Sequence, residues 1–109
     1  MIDGVIGKSI SVANQDMNIA LNNPDVGYPI YVNVHISNTT STPGNFTFSI
    51  MDNSETIPSS QDNIFINNGI NGYESINLGN FVLSPNEIIS VNCTIAGVAI
   101  RVTGIQRPS

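Results

Sequence analysis

Residues 83–104, LSPNEIISVNCTIAGVAIRVTG, decide the fold class. A turn built from Ser84, Pro85, Asn86 and Glu87 leads into a run whose apolar side chains alternate: Ile89, Val91, Cys93 and Ile95. Ala96 and Gly97 interrupt it, and a second alternating run follows in Val98, Ile100 and Val102. Successive side chains of a strand point to opposite faces, so a period of two marks a strand with one buried face. Two such runs joined by a short turn containing glycine predict an antiparallel hairpin. Ile88, Ser90, Asn92, Thr94, Ala99, Arg101 and Thr103 are expected on its outward face.

The same alternation recurs upstream. In 28–37, Ile30, Val32, Val34 and Ile36 share one face, and Tyr31, Asn33, His35 and Ser37 share the other. Pro29 stands at the start of this run, where a strand tolerates proline. Phe46, Phe48 and Ile50 alternate with Thr47, Ser49 and Met51, and the polar residues 38–45 read as a hairpin connection. Ile76, Leu78, Phe81 and Leu83 form a further run in which Gly79 is expected to mark a bulge. Weaker runs lie at 64–66, at Met17, Ile19 and Leu21, and across residues 1–12. Residues 1–21 are expected to be an N-terminal arm or a pair of edge strands, and residues 22–109 the body. Isoleucine (17) and valine (9) far outnumber leucine (3), and β-branched side chains suit pleated surfaces better than helices. Seven to eight short strands at intervals of about ten residues predict an all-β chain. Its expected form is one antiparallel β-sandwich, Ig-like or jelly-roll-like.

Charge narrows the function classes. Only 10% of the 109 residues are charged, against about 25% in an ordinary domain. The formal net charge is −5, and Lys8, Arg101 and Arg107 are the only Lys and Arg residues. Three cations do not make the electrostatic footprint that nucleic acid or an anionic membrane surface requires. No apolar run reaches the length of a membrane span, and residues 1–10 lack the basic and apolar regions of a signal peptide. The sequons at Asn38, Asn45 and Asn92 are what a chain rich in Asn and Thr produces by chance.

Catalytic chemistry finds no local foothold. His35 is the only histidine, lies on the polar face of its strand, and has no orienting carboxylate nearby in sequence. Cys93 is the only cysteine, sits on the inward face of its run, and reads as a small buried hydrophobe. The carboxylates fall at turns and strand ends. Asp52, Asn53, Glu55 and Asp62 offer oxygen atoms within one loop, but their spacing fits no EF-hand pattern, and the loop reads as solvated. The expectation is a non-enzymatic chain with no cofactor and no metal. Tyr28, Tyr31 and Tyr73 are considered as a sugar-stacking platform, which makes a carbohydrate-binding module the alternative from another class.

Taken together, residues 28–105 resemble the small β-sandwich virion proteins of tailed bacteriophages. The resemblance rests on VNVHISNTT at 32–40, FTFSI at 46–50, INLGNFVL at 76–83, the turn SPNE at 84–87 followed by IISV, and VAIRVTG at 98–104. Val26-Gly27-Tyr28-Pro29-Ile30 departs from the entry usual in that group, and Asn86-Glu87 stands where Gly-Asp is common. The resemblance implies a virion location after assembly in the host cytoplasm. It also implies a homo-oligomer that contacts the major capsid protein or another virion protein. A capsid decoration or cement protein is the leading expectation, and a tail, adaptor or fibre-associated protein the alternative. The expected interaction residues are Ile2, Val5, Ile6, Lys8 and Ile10 in the N-terminal segment, with Tyr31, His35 and Arg101. The loop 52–63 and the row Ala99, Arg101 and Thr103 are further contact candidates.

Overall fold

The computed structural model describes residues 3–23, 27–53 and 64–106. Eight strands follow in order: β1 (Asp3–Ile10), β2 (Asp16–Leu21), β3 (Ile30–Asn38), β4 (Gly44–Asp52), β5 (Ile64–Ile70), β6 (Ser75–Leu83), β7 (Glu87–Cys93) and β8 (Val98–Gln106). They form two four-stranded antiparallel sheets, ordered β1-β8-β3-β6 and β2-β7-β4-β5. Every connection except β4 to β5 passes from one sheet to the other. That order is the jelly-roll version of the β-sandwich. No helix occurs among the described residues, so none is long and apolar enough to cross a membrane.

The alternating residues fill the space between the sheets. Ile30, Val32, Val34 and Ile36 from β3 and Val98, Ile100 and Val102 from β8 meet Phe46, Phe48 and Ile50 from β4 and Ile89, Val91 and Cys93 from β7. The Phe48 and Phe81 rings lie 5.2 Å apart at 33°, joining β4 to β6 across the core. Burying one such side chain contributes about 1.5–3 kcal/mol. The stretch read as an arm or edge strands supplies the edge strands β1 and β2, which pair with β8 and β7. The Ser9 hydroxyl donates to Met17 Sδ at 3.4 Å and links these two edges.

The hairpin expected for 83–104 does not form. β7 and β8 belong to opposite sheets, and their apolar faces oppose each other across the core. The connection 38–45 likewise crosses from β3 in one sheet to β4 in the other. Alternation records which face of a strand is buried and is silent about its neighbour. The crossing after Cys93 turns through Gly97, whose φ of +86° is a left-handed conformation that glycine adopts without strain. Ile88 and Ser90, expected outward, are buried; on the outer face of their sheet Ile88 stands in register with Met51 and Leu21, and Ser90 with Ser49 and Asn18. The bulge at Gly79 does occur. Val34 pairs with Gly79 and His35 with Asn77, which leaves Leu78 as the extra residue, packed against the core.

Buried polar side chains close both ends of the sandwich. At one end Ser11 Oγ donates to the Ile95 carbonyl at 2.7 Å and accepts from the Val98 amide at 2.9 Å. Beside it, Asn38 Nδ2 donates to the carbonyls of Thr42 (2.7 Å) and Asn71 (3.1 Å). At the other end Asn22 Nδ2 donates to the carbonyls of Tyr28 (2.8 Å) and Leu83 (2.9 Å), and Gln106 Nε2 donates to Tyr28 at 3.1 Å. Crossing turns leave main-chain carbonyls in the interior, and each must find a donor there.

Candidate functional site

The outer face of the sheet β1-β8-β3-β6 is built as four rows running across the strands. Strand register places Val82, Tyr31, Ile105 and Asp3 in the first row, and Asn80, Asn33, Thr103 and Val5 in the second. Asn77, His35, Arg101 and Lys8 make the third, and Ser75, Ser37, Ala99 and Ile10 the fourth. Neighbouring members of a row stand about 4.8 Å apart, and successive rows about 7 Å apart.

This face differs in kind from the core side of the same strands. Val5, Ile10, Tyr31, Val82 and Ile105 are each between 39% and 66% exposed. They are five of the eight large hydrophobic residues exposed among those described, so most of the open apolar surface lies here. The β6 side is polar and internally bonded. Asn33 Nδ2 donates to Asn80 Oδ1 at 2.9 Å and to Asn77 Oδ1 at 3.2 Å, and the Ser37 and Ser75 hydroxyls are 3.1 Å apart. An open depression of about 510 Å³ runs over the first two rows, floored by Val32, Phe81 and Gly104 and rimmed by Tyr31, Val82 and Ile105.

Six of the sequence candidates, Val5, Lys8, Ile10, Tyr31, His35 and Arg101, share this face. Ile6 does not: it packs against the core, and its Cδ1 lies over Gly104. Ile2, Arg107 and residues 54–63 lie outside the described residues. The calcium-type oxygen set falls there too, except for Asp52 and Asn53, which end β4 and begin the turn after it. Val82 and Ile105 went unread in the sequence. Val82 lies between the inward residues Phe81 and Leu83 and so faces outward, but the run names only the inward side chains. Ile105 looks like a tail until β8 is seen to reach Gln106.

The other chemical candidates lie elsewhere. Tyr28 precedes β3, and Tyr73 sits in the turn before β6 at the far end of the sandwich, so the three tyrosines form no common platform. Tyr73 is exposed and has φ +57°, uncommon for an aromatic residue. Carboxylates serve the fold: Glu74 accepts from the Asn71 amide and Glu87 from the Ser84 amide within turns, and Asp16 accepts from Asn92 Nδ2 across β2 and β7, at 2.8 or 2.9 Å. His35 stands in register with Asn77 and Arg101, so no carboxylate faces it across a strand. Burial raises the Cys93 thiol above its ordinary pKa, and a hydrogen bond with Ser11 opposes this only in part. A raised thiol pKa suppresses the nucleophilic thiolate. Among the described residues no three His, Cys, Asp or Glu side chains gather as a metal site. Comparison with protein-family models gives no match for this chain, and comparison with curated proteins gives none either.

Proposed function

We propose that this chain is a non-enzymatic virion structural protein that binds other virion subunits, with decoration of an assembled capsid as the leading form. The observation that carries the reading is the open outer face of β1-β8-β3-β6, which holds five of the eight large hydrophobic residues exposed among those described. Large exposed apolar surface on a soluble domain marks a binding site more often than chance. The resemblance of residues 28–105 to phage virion proteins supports the class of partner. The jelly roll is compatible with it, since viral capsid domains use that architecture, but lectins and cupins use it as well. Many copies on a repeating shell would multiply modest contacts, and binding the assembled state alone would stabilise it by mass action.

The test is light scattering of the purified protein, alone and with particles assembled without it. Co-sedimentation that saturates at a copy number matching the lattice supports decoration. A discrete multimer that ignores capsids but joins tails moves the protein to the tail or adaptor class. Failure to bind any particle overturns the virion reading.

One observation favours a carbohydrate-binding module as the second reading: half-exposed Tyr31 borders the depression that also holds the Asn33 and Asn80 side chains. Glycan binding lost in Tyr31→Ala and kept in Tyr73→Ala would establish it.

A further inference from the structure

Lys8 and Arg101 are the only Lys and Arg side chains among the described residues, and they are direct cross-strand partners on one face. His35 is the next member of the same row, paired with Arg101 from the other side. All three are exposed. Among the described residues no ion pair engages any of them. Glu74 and Glu87 brace turns, Asp16 accepts from its cross-strand partner Asn92, and Asp52 at the end of β4 accepts from Asn86; among the described carboxylates only Asp3 shares the face, two rows from Lys8. A chain with net charge −5 and three cations has thus placed two of them side by side, with Asp3 the only described carboxylate on their face. Like charges directly opposite on adjacent strands oppose folding. Nothing in the fold requires the arrangement, because threonine would suit either outward position as well.

We infer that the row Lys8–Arg101–His35, carried by its two cations Lys8 and Arg101, docks an acidic patch on the surface of a partner protein, with Tyr31, Val82 and Ile105 as the apolar anchors two rows away. This rests on the virion reading above and names the chemistry of the partner subunit. The fitting surface carries carboxylates about 13 Å from an apolar side chain, the span from the third row to the first. Charge complementarity sets the choice of occupant. A second copy docked face to face would bring four Lys and Arg side chains together against two Asp3 carboxylates, so self-pairing here is disfavoured. The open apolar side chains are mostly aliphatic and spread over the face, which suits a protein surface better than a glycan.

The test uses the full chain and particles assembled without it, in a salt series. Wild-type binding should weaken as salt rises, and Lys8→Glu/Arg101→Glu should lose roughly tenfold or more in affinity at low salt. Arg101→Lys should retain most of it. The free protein gives a second readout: Lys8→Thr should raise the melting temperature at low salt, and the gain should vanish at about 0.5 M salt. If wild type binds particles and the charge-reversed variant binds equally, the inference is overturned while the virion reading stands. If wild type binds no particle, both fall. Charge-dependent binding to sulfated oligosaccharide without particle binding, or charge-dependent self-association, would overturn it in favour of a glycan or a second copy.

Discussion

Asn22 and Lys8 show two opposite uses of a polar side chain in one small sandwich. Asn22 is fully buried at the end of the fold, and its amide donates to the carbonyls of Tyr28 and Leu83 while Gln106 reaches its oxygen at 3.4 Å. Lys8 is exposed on the sheet face beside a second cation and has no charged partner among the described residues. The end of the sandwich is architecture: each donor answers a carbonyl that a crossing turn has left in the interior. The face is surplus to folding, and on the proposed reading its side chains meet a partner.

The contrast can be broken by substitution at either place. Asn22→Ala should have the largest effect, about 2–4 kcal/mol in urea unfolding, because it removes the side-chain donor to the buried Leu83 carbonyl, one of the two donors to Tyr28 and one of the two acceptors of the Gln106 amide. Ser11→Ala removes the bonds to Ile95, Val98 and the Cys93 thiol at the opposite end and should cost about 1–3 kcal/mol by the same measurement. Gly97→Ala forces a side chain into a left-handed turn and against Thr40 Cγ2, with an expected loss of about 1–2 kcal/mol. Tyr31→Ala on the open face should stay within about 0.5 kcal/mol of wild type while weakening particle binding. A large stability loss at Tyr31, or none at Asn22, would erase the distinction.

Much of the fold was legible because one physical rule dominates it. Period-two alternation at 30–36, 46–50, 89–93 and 98–102 names core residues correctly, since the inward face of a strand must be apolar wherever it pairs. Pairing itself was not legible. The hairpin read into 83–104 failed because a β7-to-β8 crossing and a hairpin demand the same alternation and the same glycine-bearing turn. What separates them is Ser11, some 84 residues from Ile95 in sequence, whose bonds hold the crossing in place. The face was legible in part. His35, Tyr31 and Arg101 could be assigned outward from their own strands, whereas their alignment with Lys8 depends on β8 lying between β1 and β3. The end latches were invisible for a related reason. In a chain with 16 asparagines, nothing local distinguishes Asn22 and Asn38 from the asparagines that merely make turns.

The central claim, that the outer face of β1-β8-β3-β6 is the working surface, is tested most directly by blocking it. Cys93 is buried with a suppressed thiolate, so an introduced surface cysteine should be the only thiol that reacts in the folded protein. Thr103→Cys places one in the middle of the face, and Asn18→Cys places one on the opposite sheet. Each variant is coupled to a bulky polyethylene-glycol maleimide, checked for an unchanged melting temperature, and sedimented with particles assembled without the chain. The account predicts that the label at 103 abolishes binding and the label at 18 leaves it intact. Undiminished binding with 103 labelled, or loss only with 18 labelled, would contradict it.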